Sequence, residues 1–366
     1  MDLEELTVNI SSFFSADERI VTPDDPTLQF TGRIDFGNPR APVFVYPGTS
    51  VKVRFTGTRL KVILKNRHSC WNNYLGYIFD GTQHKIQIPE HEKVICMTLA
   101  ENLKKEEHQL LFFKRMDSCH NFTFYGFVID RDASVAAPEE RPCRRMEVFG
   151  DSVSAGEVAE ATAFAGKPDP EHNGEYSNSY YSYAAMTARK LNAQLHNTSQ
   201  GGIPLLHGTG WFAAPDYLGM EEIWDKIEYH PEFGSPKQWD FSRYIPHVVI
   251  VAIGQNDSHP EDYMKENYNS PQAENWRKHY ETFLRTLRKT YPKALIIAAT
   301  TILQHDKSWD DSIAEVCKHI GDPKTVHFLY RRNGAGTPGH IRIPEAEEMS
   351  DELSEFIRSF GNEIWE

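Results

Sequence analysis

The sequence predicts a two-domain protein, with a β-sandwich of jelly-roll type over residues 1–137 and an α/β domain with a parallel sheet over residues 138–366. A length of 366 residues exceeds the usual size of one domain. Short β-type runs fill the chain up to about residue 135, whereas apolar runs alternate with helical patterns after Arg141. The segment between them, residues 133–141 (ASVAAPEER), is small, charged and contains proline, as is typical of a linker.

Short alternating runs predict the strands of the N-terminal domain. They follow one another closely and are separated by Gly, Pro and Asp, without a convincing helix between them. This pattern favours an antiparallel sandwich. The predicted strands are residues 28–30, 43–46, 51–55, 60–64, 77–80, 85–88, 93–99, 110–114 and 122–129.

Apolar strands that alternate with amphipathic helices predict the C-terminal domain. Strands that are apolar throughout indicate a parallel sheet covered on both faces. The predicted strands are residues 145–149, 194–198, 248–253, 294–300 and 326–330. The predicted helices are residues 179–191, residues 344–360, and one whose apolar face carries Trp276, Tyr280, Phe283, Leu284 and Leu287.

The charge balance limits the partners of the chain. Fifty-two acidic and 39 basic residues give a formal net charge of −13, and the sequence contains no basic cluster. Such a chain repels phosphate backbones and anionic lipid, so we expect neither nucleic acid nor a membrane as a partner. The longest apolar stretch, residues 294–303, is too short to cross a bilayer.

Cysteine usage and the N-terminal residues bear on location and cofactors. Five scattered cysteines without a CxxC pair are typical of reduced thiols, and the acidic N-terminus lacks a signal-peptide pattern. These features predict a cytoplasmic protein. The sequence has no HExxH motif, no Cys/His ligand spacing and no P-loop, so we expect no metal and no cofactor.

Polar residues follow the first three predicted strands of the C-terminal domain, where ligands of parallel sheets bind. Gly150-Asp151-Ser152 follows the first strand, and a serine at a strand-to-helix turn exposes its hydroxyl and its own N–H. The same residues also suit a helix N-cap, so this triplet is weak evidence alone.

Three further segments stand at corresponding places. Gly201-Gly202 follows the second strand and Gly254-Gln255-Asn256-Asp257 follows the third, while His340 lies in a loop before the last helix. Taken one by one, these residues are equally consistent with a plain turn, an Asx-turn and a structural histidine.

In this order, Ser152, Gly202, Asn256 and His340 resemble the blocks of the SGNH (GDSL-type) hydrolases over residues 143–360. The resemblance implies a flavodoxin-like sheet, Ser152 as nucleophile and His340 as base. The oxyanion hole would consist of the Ser152 N–H, the Gly202 N–H and the Asn256 amide, with Gly201 as the alternative to Gly202.

The last block departs from that family because Thr337 stands where an acidic residue usually precedes the histidine. A β-sandwich before such a domain resembles carbohydrate esterase family 2, which comprises two-domain deacetylases of acetylated xylan. The resemblance implies a Ser–His dyad assisted by a main-chain carbonyl, and a carbohydrate-binding-like first domain. Trp211 is the candidate aromatic residue beside the site.

We assign Trp211, Asp151 and Asp257 to substrate binding, with Asp257 also bracing its loop. Residues 157–178 and 204–247 are long enough to wall the site.

Three functions remain open at this point. The first is a serine esterase that removes O-acetyl groups from xylo- or manno-oligosaccharides, as a homo-oligomer. The second is an SGNH lipase or thioesterase with another acyl group. The third is a glycan-binding protein without catalysis.

Overall fold

The computed structural model describes residues 10–366. The chain divides into two compact units. The first contains the chain up to Val45, Thr49–Lys114 and Ser118–Glu140; the second contains Tyr46–Gly48, Arg115–Asp117 and Arg141–Glu366. The main division thus falls three residues after the predicted one. The two short early segments that belong to the second unit have no signal in the linear sequence, because only tertiary contacts place them there.

The first unit consists of two antiparallel sheets of six strands each. One sheet has the order β3-β4-β11-β6-β9 with β1 on β11, and the other has the order β12-β5-β10-β7-β8 with β2 on β5. The strands are β1 (Glu18–Val21), β2 (Gln29–Thr31), β3 (Ile34–Asp35), β4 (Val43–Phe44), β5 (Ser50–Gly57), β6 (Leu60–His68), β7 (Asn73–Phe79), β8 (Thr82–Ile88), β9 (Val94–Ala100), β10 (Glu106–Lys114), β11 (His120–Asp130) and β12 (Val135–Ala136).

Alternation along the strands builds the core of this unit. In β5, Val51, Val53 and Phe55 are buried, whereas the intervening lysine and arginine point outward. Aromatic rings fill much of the core, and the stacked rings of Phe44 and Phe122 have centroids 4.5 Å apart. The predicted β-sandwich is confirmed. The prediction missed β1, β3 and β12, because strands of two to four residues are too short to show a period.

The second unit is built on a five-stranded parallel sheet with the order β14-β13-β17-β18-β19. Its elements are β13 (Arg144–Gly150), α1 (Ser152–Ala155), α2 (Tyr183–Lys190), β14 (Ala193–Ser199), α3 (Met220–Ile223), β15 (Lys226–Glu228), β16 (Lys237–Gln238), β17 (Val248–Ala252), α4 (Tyr263–Glu266), α5 (Pro271–Thr290), β18 (Leu295–Ala298), α6 (Lys307–Ile320), β19 (Thr325–His327) and α7 (Ile343–Arg358). The hairpin β15–β16 lies outside the sheet.

This strand order is the flavodoxin-like one, as the resemblance implies. The chain first moves from β13 to β14 on one side and then returns to β17 on the other. The crevice of such a sheet opens at the carboxyl ends of the strands where the order reverses. Residues that follow β13, β14 and β17 are therefore brought to one place.

Helix α5 shows why the predicted helices form. Ser270 caps its N-terminus by accepting a hydrogen bond from Ala273 N, and Pro271 occupies its first turn. All five residues of the predicted apolar face are buried. The helix predicted over residues 179–191 is interrupted, because Ser182 adopts an extended conformation and caps α2.

Helix α6 was not predicted, although its signals are present. Asp306 caps its start, Gly321 ends it with a φ of 65°, and Trp309, Ile313 and Val316 lie on its buried side. Among residues 10–366, no helix is long and apolar enough to cross a membrane. None of the five cysteines forms a disulfide.

We expect Leu284→Ala to lower the free energy of unfolding by about 2–5 kcal/mol, because it leaves a cavity in a fully buried site of α5. Denaturant unfolding followed by circular dichroism measures this change. Lys278→Ala, at an exposed position of the same helix, is the matched control and should change stability by less than about 0.5 kcal/mol. Equal effects of both substitutions would contradict the packing described here.

Candidate active site

Ser152 lies directly after β13, at the first position of α1. Asp151 caps this short helix by accepting a hydrogen bond from Val153 N at 3.0 Å. Helix α1 ends at Gly156, whose φ of 80° turns the chain away. The strand, the cap and the turn fix the serine backbone at the edge of the sheet.

His340 lies in the loop between β19 and α7, and its ring reaches two partners. Its Nε2 is 2.9 Å from Ser152 Oγ, and its Nδ1 is 2.6 Å from Asp169 Oδ2. The Asp169 carboxylate only accepts hydrogen bonds, so Nδ1 carries the proton and Nε2 is left to accept from the serine hydroxyl. Ser152, His340 and Asp169 thus form one hydrogen-bonded chain.

The expectation of a dyad with a main-chain carbonyl is wrong, because a carboxylate accepts the hydrogen bond from Nδ1. Asp169 precedes His340 by 171 residues and belongs to the segment 157–178, which we assigned only as a wall of the site. Thr337, at the usual place of the acid, is buried and takes no part in this contact. A lone aspartate in a loop gives no spacing signal, so sequence analysis missed it.

A buried arginine holds the acid and the base together. Arg342 Nη2 donates to Asp169 Oδ1 at 2.8 Å, and its Nη1 donates to the carbonyl of His340. The backbone N–H of His340 also donates to Asp169 Oδ1, at 2.9 Å. A Cβ on Gly339 would lie 2.6 Å from Lys167 O, so the two loops approach this closely only because residue 339 is glycine.

The charges of the site shift the pKa values of Asp169 and His340. Burial would raise the pKa of Asp169, but the His340 hydrogen bond and the charges of His340 and Arg342 hold that pKa well below its ordinary value. Burial would lower the pKa of His340, but the carboxylates of Glu157 and Asp169 outweigh burial and raise it. The acid is therefore ionised whenever the imidazole titrates.

Gly202 follows β14 with a φ of 70°, and a Cβ there would lie 2.8 Å from Trp211 Cβ. Only glycine fits this turn. Within residues 10–366, no hydrogen bond of the Gly202 N–H is found, whereas the Gly201 N–H donates to Asp117 Oδ2 at 2.6 Å. The alternative assignment of Gly201 to the oxyanion hole is thus wrong, because its N–H is already engaged.

Asn256 lies in the turn after β17. Its Nδ2 donates to Ile203 O at 3.2 Å and to Asp151 Oδ2 at 3.3 Å. These contacts bring the carboxamide beside the Ser152 turn and the Gly202 loop. Its role as an oxyanion donor stays a prediction, as do those of the Ser152 and Gly202 N–H groups.

The assignment of Asp151 and Asp257 to substrate binding is wrong, because both side chains are buried and bonded within the protein. Asp257 accepts hydrogen bonds from Leu205 N at 2.7 Å and from Leu206 N at 3.0 Å, so it braces the loop after Gly202. Burial raises its pKa to about 7. Asp151 caps α1, and burial raises its pKa to about 6.

Trp211 remains a candidate for sugar contact. Its side chain is 61% exposed and its ring stacks on His259, with centroids 3.4 Å apart. It lies next to Gly202, so a flat apolar surface borders the glycine loop. Aromatic faces of this kind stack on sugar rings. No contact of this structure tests that role.

Two further acidic residues near the serine were not predicted. Asp117 lies in the short early segment of the second unit, and its carboxylate accepts hydrogen bonds from Gly201 N and from Gln200 Nε2 at 2.8 Å. Glu157 Oε2 is 4.0 Å from His340 Nε2. Within residues 10–366, no group of His, Cys, Asp and Glu side chains has the arrangement of a metal site.

The arrangement suits nucleophilic acyl transfer. A serine hydroxyl is a weak nucleophile until an adjacent imidazole accepts its proton, and a carboxylate on Nδ1 orients that imidazole and stabilises its cation. Preorganised N–H donors next to the serine would stabilise a tetrahedral oxyanion.

Several known proteins are similar to this chain. A model described as "Carbohydrate esterase 2 N-terminal" matches residues 30–138. The chain is 28% identical to the cellulase/esterase CelE of Acetivibrio thermocellus over 94% of its own length and 40% of that protein. It is 26% identical to an acetylxylan esterase / glucomannan deacetylase of Cellvibrio japonicus, over 86% of this chain and 81% of that protein.

Solved structures share the fold. A family two carbohydrate esterase from Cellvibrio japonicus superposes with a TM-score of 0.78 at 24% identity, over 95% of this chain and 98% of the other. The likeness covers both units. The N-terminal model and the two curated relatives, both of which are named as esterases, show that the chain is similar to the acetylxylan esterases of carbohydrate esterase family 2.

Proposed function

We propose that the protein is a serine esterase that removes O-acetyl groups from acetylated xylo- or manno-oligosaccharides through an acetyl-enzyme. The observation that carries this proposal is the hydrogen-bonded chain from Ser152 Oγ through His340 to Asp169. The curated relatives support the substrate class, because one is named an acetylxylan esterase / glucomannan deacetylase. The chain spans 40% of the length of the other, CelE.

In the first step, His340 Nε2 accepts the proton of Ser152 as Oγ bonds to the acetyl carbon. The carbonyl oxygen becomes an anion, and the N–H groups of Ser152 and Gly202 and the Asn256 amide stabilise it. Asp169 stabilises the imidazolium that forms.

In the second step, the tetrahedral adduct collapses. The imidazolium returns its proton to the sugar oxygen, the bond between that oxygen and the acetyl carbon breaks, and the deacetylated sugar leaves. Water then loses a proton to Nε2 and attacks the acetyl-serine, which releases acetate and restores the Ser152 hydroxyl. The triad replaces the dyad of the sequence-based expectation.

A cytoplasmic location and a homo-oligomeric state stay predictions of the sequence. If the location is correct, the substrates are imported oligosaccharides rather than insoluble polymer.

Ser152→Ala should lower acetate release from acetylated xylo-oligosaccharides by at least about 10³-fold, because no other hydroxyl lies within reach of His340 in the described chain. Enzymatic quantification of acetate measures the change, and circular dichroism checks the fold. Ser242→Ala, at an exposed position, is the matched control and should keep full activity. Normal turnover of the Ser152 variant would refute the mechanism.

Asp169→Asn should lower kcat by about 10²–10⁴-fold, because the amide no longer fixes the imidazole tautomer. His340 must be neutral to act as a base, so activity falls as the pH drops through its raised pKa. Loss of the carboxylate lowers that pKa, and the acid limb of the kcat/KM profile should therefore move to lower pH. The control is Glu171→Gln, which removes one charge from an exposed position of the same loop. An unshifted acid limb would exclude Asp169 as the partner of the base.

Trp211→Ala should raise KM for acetylated oligosaccharides by about fivefold, because the stacking of one aromatic ring on a sugar contributes on the order of 1 kcal/mol. Hydrolysis of 4-nitrophenyl acetate, which has no sugar ring, should change much less. Unchanged kinetics on the oligosaccharide would remove Trp211 from the site.

A further inference from the structure

Glu157 is attached to the same turn as the nucleophile. It follows the left-handed Gly156 that ends α1, and its backbone N–H donates to Ser152 O at 3.0 Å. The position of Glu157 therefore depends on the turn that places Ser152.

The carboxyl group of Glu157 lies between the base and the glycine loop. Its Oε2 is 4.0 Å from His340 Nε2, and a Cβ built on Gly201 would meet the same oxygen at 2.9 Å. The side chain is only 12% exposed. Within residues 10–366, no hydrogen bond to either carboxyl oxygen is found, so both oxygens can bond to a ligand.

The surrounding charged groups differ from Glu157 in this respect. Asp117 accepts from Gln200 and Gly201, Asp169 from His340 and Arg342, and Asp151 from Val153 and Asn256. Burial raises the pKa of Glu157 to about 7, opposed by His340 and supported by Asp117, Asp169 and Asp151. Near neutral pH the carboxyl is protonated in part of the molecules, so it both donates and accepts hydrogen bonds.

The reaction at His340 Nε2 indicates which part of a substrate lies near the Glu157 carboxyl. The ester oxygen of the leaving alcohol receives its proton from Nε2 and so lies within hydrogen-bond distance of that atom. A group 4.0 Å from Nε2 is then close enough to reach a substituent on the carbons next to the ester oxygen. In an acetylated sugar, such a neighbouring carbon carries a hydroxyl, whereas a simple aryl acetate has none there.

We propose that Glu157 is a specificity-determining residue whose carboxyl hydrogen-bonds to the free hydroxyl next to the acetylated oxygen, so that the site favours acetyl esters of polyols over simple acetates. The inference rests on the proposed function. A site that hydrogen-bonds a substrate hydroxyl rejects analogues that lack it, because its buried polar group is then left without a partner.

The test compares Glu157→Ala, Glu157→Met and Glu157→Gln with the unaltered protein on two substrates, acetylated xylo-oligosaccharide and 4-nitrophenyl acetate. Alanine and methionine remove the hydrogen bond, and methionine keeps the length of the side chain. We expect both to lower kcat/KM on the oligosaccharide by at least about tenfold and on the aryl ester by less than about threefold. Glutamine keeps a donor and an acceptor and should retain most of the oligosaccharide activity. Glu171→Ala, in the adjoining loop, is the control for loss of a charge.

Equal losses on both substrates would overturn the inference, because Glu157 would then act on the base or the nucleophile. No loss on the oligosaccharide would overturn it as well. Each variant is measured at a pH above the acid limb of its kcat/KM profile. A change in the His340 pKa then does not affect the ratio of the activities on the two substrates.

A second measurement separates this inference from the proposed function. Deacetylated xylobiose should inhibit hydrolysis of 4-nitrophenyl acetate by the unaltered protein, and Glu157→Met should weaken that inhibition by about tenfold. If the protein hydrolyses the aryl ester through Ser152 but does not turn over acetylated sugars, the proposed function fails. The inhibition by xylobiose then still tests whether Glu157 binds a sugar hydroxyl. Inhibition that is absent, or equal in both proteins, would overturn the role of Glu157.

Discussion

The hydrogen bond between Asp169 and the Nδ1 of His340 is the constraint on which the site depends. It sets the tautomer of the imidazole, and thereby decides that Nε2 accepts from Ser152. It also ties together two loops that are far apart in the chain. Arg342 completes this connection from inside the protein, because it donates both to the acid and to the backbone of the base. The reactive geometry is thus held by charge-assisted hydrogen bonds, which are shorter and stronger than neutral ones.

The parallel sheet also positions the residues of the site. The strand order reverses at β13, so the loops after β13, β14 and β17 open into one crevice. Each loop is then fixed by a carboxylate that accepts backbone N–H groups: Asp151 for the serine turn, Asp117 for the glycine turn and Asp257 for residues 205 and 206. A buried carboxylate is costly unless it is hydrogen-bonded, so these contacts hold the loops in one conformation.

Acidic residues around the base shape the electrostatics of the site. Glu157, Asp169 and Asp151 raise the pKa of His340, which favours its imidazolium form. Glu157 differs from the others because its carboxyl lies 4.0 Å from the Nε2 of the base and accepts no hydrogen bond from residues 10–366. A group with that placement adds recognition of the alcohol to a site otherwise organised around the acyl carbon.

Much of the fold could be predicted from the sequence, because hydrophobic periods indicate which faces are buried and the carboxyl ends of parallel strands lie at one edge of the sheet. Periods of two and of three to four residues predicted the sandwich, the parallel sheet and α5. Position after a strand pointed to Ser152, Gly202 and Asn256, and the resemblance to the SGNH hydrolases pointed to His340 in the loop before the last helix. The strands β1, β3 and β12 were not predicted because they are too short to show a period, and the break at Ser182 was not predicted because it depends on a local cap. The places of Asp169, Asp117 and Glu157 in the site were decided by the tertiary structure alone. A side chain on an irregular loop belongs to no repeating pattern that would predict its contacts, and only the folded backbone brings residues 171 positions apart into hydrogen-bond contact.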